Sequence, residues 1–443
     1  MEKKENLFKF TKDEQDIFSY IKELPVINTH EHFFCFNKIE ADPICFILGN
    51  YYLQTDIMNA LGVDENEIQN MLDIRVDYET RAQKFLDICK YINNTGYCRA
   101  AVYSIERICN IKCDGVFTRD VLDALKEYLR SRTQETTSFI FEHANIKSFI
   151  ANPDVADFNN GVLNLSYPKC RVAFPLPPFH CFCSYEELRA LPCVENEEDI
   201  LDIDVYLEAF ERYLEKSIHA GVVCIKDQSA YMRTLDFEEP CEELARKLYN
   251  NILANRESKW SQEEMQPLSD WLMCKYMEMA ARYKIPVQLH TGHLAFPYSD
   301  VRKANGIQLT TLFKMHPNVR FVIFHGNWPY MGEALFLAKN YPNVYLDLCW
   351  VQSIDPLYSI EMMKRIVLTI PWNKVSVFGG DTSIPEWSVG YLELTKNNLA
   401  RALEDLIEDE YLTKSQAYNI AMAWLYGNPN ELYNLKLSFD SKA

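Results

Sequence analysis

The sequence predicts an α/β fold, the (β/α)8 TIM barrel, on three observations. A short apolar or β-branched run recurs eight times along the 443 residues, most of these runs are separated by helix-like stretches, and several end in a histidine or a carboxylate. Alternating strand and helix favours a parallel sheet covered on both faces over a sandwich. In order the runs are Pro25–Asn28, Ile146–Ile150, Arg171–Phe174, Gly221–Ile225, Pro286–Leu289, Arg320–Phe324, Val344–Leu348 and Val375–Phe378.

A barrel of this kind needs roughly 250 residues, so the excess has to sit in insertions. The chain reads as one domain, 1-443, whose largest insertion falls between the first and second runs, at about 33-145. Within it Arg81–Ile92 and Val121–Arg132 read as helices, which predicts a mainly helical cap over one barrel end. The acidic run Glu195–Asp199 reads as a solvated loop leading into a helix. Near the end, Thr413-Lys414-Ser415-Gln416 fits a capping box. Ala417, Ile420, Ala421, Trp424 and Leu425 follow at helical spacing, with Gly427 as the expected stop.

Composition narrows the function. Hydrophobic residues make up 48% and aromatics 13%, too many for a disordered chain. A net charge of −18 argues against nucleic acid or an anionic membrane as the main partner. The start, Met1–Asn6, is charged and no run approaches the roughly 18 apolar residues of a membrane helix, so a soluble cytoplasmic protein without a signal peptide is expected. The 14 cysteines are scattered, with Cys181/Cys183 and Cys109/Cys113 the only tight pairs. They read as buried reduced thiols rather than a four-thiolate metal site.

The chemistry gathers at the ends of the runs. The first ends Asn28-Thr29-His30-Glu31-His32, and strand alternation puts His30 and His32 on the same side. The fifth run leads into His290, the sixth into His325 and the eighth into Gly379-Gly380-Asp381, while the fourth ends Lys226-Asp227. Four of the nine histidines thus fall at the C-terminal edge, where barrel enzymes carry their active sites.

His-x-His after strand one, His after strands five and six and Asp after strand eight resemble the amidohydrolase-related superfamily of metal-dependent barrel enzymes. The stretches Gln288-Leu289-His290-Thr291-Gly292, Phe324–Tyr330, Tyr341–Asp347 and Ile225–Arg233 are similar to the branch near uronate isomerases and the amidohydrolase-like domains fused to some glutamine synthetases. The resemblance runs from about residue 20 to 436 and is strongest after residue 220. It implies one divalent metal, zinc by donor type, held by His30, His32 and Asp381 with His290 as a further ligand. Asp381, His290 and His325 are the expected catalytic groups: Asp381 shuttles the proton of a metal-activated water, and His325 hydrogen-bonds a developing oxyanion. Asn28 departs from the pattern, standing where a carboxylate is usual. Lys226 matches the lysine that bridges two metals as a carbamate in binuclear members, and a substrate-facing cation or a structural ion pair are its other readings.

Arg233 is the expected partner of a substrate carboxylate, since guanidinium binds carboxylates bidentately. Tyr231 and Trp328 are expected to contact substrate, with Trp387 a further wall. Arg99 could reach in from the cap. His293 reads as a loop residue, and His143, His180, His219 and His316 as structural.

The expected activity is hydrolysis of an amide, ester or lactone of a small carboxylated molecule. Uronate-isomerase-like proton transfer and non-oxidative decarboxylation use the same ligand set and remain open, as does homo-oligomerisation. A non-catalytic ligand-binding barrel is the alternative of another class, and it would not need four strand-end histidines and an aspartate.

Overall fold

A computed structural model describes residues 16–33, 41–62, 64–154, 157–158, 167, 169–295 and 297–438. The Met1–Asn6 start lies outside them. All eight expected strands are present: β1 Val26–Glu31, β2 Ile146–Ala151, β3 Cys170–Pro175, β4 Val222–Asp227, β5 Val287–Leu289, β6 Phe321–Ile323, β7 Val344–Asp347 and β8 Val375–Ser376. They pair in parallel in sequential order from β1 to β8. Beyond the ladders, Thr29 N–H donates to the Phe378 carbonyl, Asp381 N–H to that of His30 and His32 N–H to that of Thr382 (2.9–3.0 Å), tying the chain after β8 back to β1. The fold is a (β/α)8 barrel with short strands. Its strands are buried almost throughout because helices cover the sheet outside and side chains fill it inside.

Among the described residues seven helices lie between β1 and β2: Pro43–Leu48, Tyr51–Leu61, Glu65–Leu72, Tyr78–Ile92, Gly96–Ile108, Arg119–Ser131 and Gln134–His143. Most start at a residue that suits the job. Asp42, Asp64, Asp77, Thr95, Thr118 and Thr133 each accept a backbone N–H of the first turn, at about 1 kcal/mol per cap. Asp42 also holds the buried Arg81 guanidinium at 2.6 Å, binding two of these helices together.

Helix Gly96–Ile108 packs along helix Pro385–Glu408, which follows β8. Their backbones come so close at Gly390 that a Cβ there would stand 1.8 Å from the Ala100 carbonyl oxygen, and Gly390 N–H donates to Ser104 Oγ at 3.0 Å. Only glycine permits this approach.

The helix Lys414–Met422 has the expected capping box, with Gln416 N–H on Thr413 Oγ1 and Thr413 N–H on Gln416 Oε1. Gly427 is not its stop. The chain continues through a π-helical turn, Ala423–Gly427, into Asn428–Leu432, and Gly427 keeps helical angles (φ −63°, ψ −52°). Contacts with β8 explain this. The wide turn lets the Trp424 carbonyl accept from Val377 N–H, while Asn428 Nδ2 donates to the Trp372 and Val375 carbonyls. No helix among the described residues is long and apolar enough to cross a membrane, and none of the described cysteines forms a disulfide.

Candidate functional site

The C-terminal ends of β1, β6 and β8 bring His30, His32, His325 and Asp381 together. His30 Nε2 lies 3.3 Å and His32 Nε2 3.0 Å from Asp381 Oδ1, while His325 Nδ1 lies 3.7 Å from Asp381 Oδ2. Asp381 (φ 55°) and His325 (φ 60°) both hold left-handed backbone angles that non-glycine residues rarely adopt. Strain at the turns off β6 and β8 therefore aims both side chains.

Behind the ligands, Glu31 and Asn28 bolt β1 to the loop after β8. The Glu31 carboxylate accepts from Asn28 Nδ2 (2.5 Å), Thr382 N–H (2.7 Å), Thr382 Oγ1 (2.8 Å) and Ser388 Oγ. Asn28 Oδ1 accepts from Gly380 N–H at 3.1 Å and His30 N–H at 3.3 Å. A Cβ on Gly380 would stand 2.1 Å from Glu31 Oε1. Asn28 therefore fixes the backbone around the site.

His32, His30 and Asp381 offer three ligand atoms within 4.8 Å of one another. Hydrogen counting shows why a cation fits. His32 Nδ1 faces the Asn152 carbonyl at 3.2 Å, which can only accept, so the ring hydrogen sits on Nδ1. In the neutral ring Nε2 is then a bare lone pair aimed at the Asp381 oxygen. Burial, helped by the nearby Lys226 charge, pushes the His30 pKa down to about 3, so that ring too is neutral. Burial alone would raise the Asp381 pKa, but the His30 and His32 rings outweigh it and hold the carboxyl well below its usual value. A His32 lone pair facing a carboxylate oxygen calls for a positive ion between them, and neutral nitrogens with one oxygen suit Zn²⁺.

His290 is corrected as a ligand. It is not within that group: its Nε2 is 2.8 Å from the His293 carbonyl and its Nδ1 is 3.0 Å from His325 Nε2, so both nitrogens are engaged within the protein. It still lines the cavity. A second compact donor group, His325, Cys349 and Asp381, is fully buried. Burial keeps the Cys349 thiol protonated by raising its pKa well above the usual value.

The mouth is a cavity of about 380 Å³ lined by His30, His32, His290 and Asp381 and by Tyr51, Tyr52, Tyr231, Pro175, Pro178 and Met232 among others, within the usual size range for small-molecule sites. Tyr231 is where the sequence puts it: its hydroxyl accepts Ala295 N–H at 3.2 Å and its ring centroid is 4.7 Å from that of His290. Tyr51 and Tyr52 come from the insertion.

Arg233 is not in this cavity, and its role as a carboxylate receptor is corrected. Its guanidinium is buried in an ion pair with Asp270 (2.6 Å), donates to Ser269 Oγ (2.7 Å) and to the Asp236 carbonyl, and lies over the Phe237 ring. Ser269 in turn bonds His180, which pairs with Asp227 at 2.9 Å. Lys226 is likewise absent from the lining. It is fully enclosed in the barrel, 4.5 Å from the centroid of the Phe324 ring, and burial lowers its pKa. Trp328 is outside as well, packed edge-on against His293 (5.3 Å). Trp387 is fully buried against Phe46, and Arg99 is exposed beside Tyr103.

Several residues escaped the sequence reading. Trp350, just beyond β7, stacks on Tyr52 (4.4 Å) and meets His325 edge-on (5.3 Å), linking insertion and barrel. The same strand end supplies Cys349 and the buried Asp347, so reading the seventh run as the others were read would have found them.

Residues 234–435 match the family profile described as "Amidohydrolase". The chain is 26% identical over 261 residues to protein fluG of Emericella nidulans, an alignment covering 55% of this chain and 30% of fluG, so the chain spans about a third of that relative. The fold is similar to a glucuronate isomerase from Caulobacter crescentus (13% identity, 96% of this chain and 94% of that one, TM-score 0.71). It is similar too to a uronate isomerase from Bacillus halodurans (17%, 94% and 95%, 0.67). A third likeness is to a protein from Lactobacillus casei described as a candidate metal-dependent hydrolase (16%, 95% and 98%, 0.67). The family match thus covers residues 234–435, and the likeness to the solved structures shows the barrel fold.

Proposed function

We propose that the protein is a metal-dependent hydrolase that cleaves an amide, ester or lactone at the mouth of the barrel. The observation that carries this is the convergence of the His30 and His32 Nε2 atoms on one Asp381 oxygen, three donors of the kind that hold a divalent cation. A divalent cation held there supplies a Lewis acid and makes a water nucleophilic near neutral pH.

Asp381 is placed to hold that water's proton, because its Oδ1 faces the metal histidines and its Oδ2 faces His325. His325 and His290 then form a proton store. The two rings are strung between the Cys349 carbonyl (3.3 Å) and the His293 carbonyl (2.8 Å), with one ring-to-ring link of 3.0 Å. Three links need three hydrogens, and two neutral imidazoles carry two. A third proton, arriving from Asp381 Oδ2 at His325 Nδ1, completes the set. Burial opposes that charge, holding the His325 pKa well below the ordinary value, so the proton returns to Asp381 Oδ2 and passes from there to the leaving group. Arg233, the local support for a substrate carboxylate, is committed elsewhere, so the proposal does not require one.

Equilibrium dialysis against Zn²⁺, followed by mass analysis of products from a panel of esters, lactones, N-acyl compounds and uronates, tests this reading. One bound equivalent, lost in His30→Ala/His32→Ala, together with products whose summed mass exceeds that of the substrate by one water is the expected result. Conserved mass would identify an isomerase and release of carbon dioxide a decarboxylase. Zinc uptake unchanged by the double substitution would overturn the metal site.

A further inference from the structure

Beside the mouth lies a second cavity of about 490 Å³, and Pro178 and Met232 line both. We propose that the two form one binding site, and that the substrate carries a long apolar arm, alkyl or aryl-alkyl, which passes over Met232 into the second chamber while its scissile group sits at His30, His32 and Asp381. The inference rests on the metal-site reading above and adds the substrate class.

The chemistry of the walls decides the kind of arm. The second chamber is bounded by Phe182, Leu191, Pro192 and Trp260, with Ala190 at its exposed side. Its polar groups are already paired: Lys259 Nζ lies 2.7 Å from Glu187 Oε1, Glu187 Oε2 accepts Cys183 N–H, and Gln262 Nε2 donates to the Cys181 carbonyl. Among its described lining residues the one cation, Lys259, stands largely exposed at the open side beside Glu187, and the inner walls carry no row of donors for sugar hydroxyls. The mouth itself has no lysine or arginine among its described lining residues, and its polar side chains, Asp154, Gln228 and the tyrosine hydroxyls among them, lie on its own walls rather than in the second chamber. A polyhydroxylated arm reaching the second chamber would leave its hydroxyls facing Phe182, Leu191, Pro192 and Trp260, which is costly. An apolar chain gains from the same surface. Met232 suits the passage: it is half exposed and its unbranched thioether adapts to what slides past it.

The test uses n-alkyl hydroxamates from two to eight carbons, whose head group chelates divalent metals, titrated into the zinc-loaded full-length protein by calorimetry. Beyond the length that fills the mouth, each added methylene is expected to tighten binding by about fourfold, the factor equivalent to about 0.8 kcal/mol per buried CH₂. Ala190→Trp, which narrows only the second chamber, is expected to abolish that gain for the six- to eight-carbon members and to leave acetohydroxamate binding unchanged. Met232→Trp, which blocks the passage, is expected to abolish it from a shorter length. If acetohydroxamate binds but affinity does not grow with chain length, or grows equally in both variants, the second chamber is not part of the site and the inference falls while the metal reading stands. If no hydroxamate of any length binds, the metal reading falls and takes this inference with it.

Discussion

His325 Nε2 stands 3.0 Å from His290 Nδ1, and the two rings together span from the Cys349 carbonyl to the His293 carbonyl. His290 Nε2–H must point at its carbonyl, so the hydrogen between the rings belongs to His325. Replacing His325 by Gln removes the nitrogen that faces Asp381 and leaves the metal triad intact. Zinc content should be unchanged while kcat falls by roughly 10²- to 10⁴-fold, the usual size of a general acid–base contribution. Metal analysis beside steady-state rates over a pH series checks both halves.

Asp381 belongs to both sides of the chemistry, so its loss should be felt twice. Asp381→Ala is expected to weaken zinc binding by more than about 100-fold, since even loss of an outer hydrogen-bonding partner to a ligand costs 10- to 100-fold. Turnover should disappear even at saturating zinc. A chelator-competition titration gives the affinity, and persistence of turnover in the variant would remove Asp381 from the mechanism.

Arg233 and Asp270 are both nearly fully buried, and their pairing makes a prediction opposite to the one the sequence suggested. Arg233→Met should cost about 3–5 kcal/mol of stability by stranding the Asp270 carboxylate. Arg233→Met/Asp270→Leu should recover much of that. Neither should alter KM, because the guanidinium does not line the cavity. Denaturant titrations of the three proteins, with KM measured in parallel, decide the matter.

Asp347 supplies a pH test. Burial raises its pKa from 3.8 to about 7, and one of its oxygens has no hydrogen-bond partner. The folded protein thus holds this proton more tightly than the unfolded chain does. The resulting stabilisation is complete below about pH 4 and is lost as the pH rises through 7, with a span of about 4 kcal/mol. Asp347→Asn keeps the shape and removes the titration, so its melting temperature should approach and then pass that of the parent as pH rises from 4 to 8. Parallel melting curves across that range would refute the shift.

The strands were legible because their residues leave little choice: Val222–Ile225 or Phe321–Ile323 can only be buried, and the polar residue ending each run marks the barrel mouth. His30 and His32 were legible for the same reason, since strand alternation sets them side by side, whereas the left-handed turn that brings Asp381 to them lies five residues beyond β8. Arg233 was not. It follows β4 by six residues, and whether a loop arginine meets substrate or an aspartate 37 residues later depends on helix Gln262–Tyr283, which register does not describe. Tyr51 and Tyr52 were hidden because an inserted helix can pack in many ways. Gly427 misled because glycine permits a stop without demanding one, and β8 contacts carried the helix onward.

The contact at Gly390 has a consequence for turnover. A helix whose Ala100 carbonyl and Ser104 hydroxyl meet the neighbour's backbone directly has no layer of long side chains on which to slide or tilt. Helix Gly96–Ile108 is accordingly the fixed part of the insertion, and passage in and out of the cavity must be accommodated by other groups, the half-exposed Met232 at the rim among them.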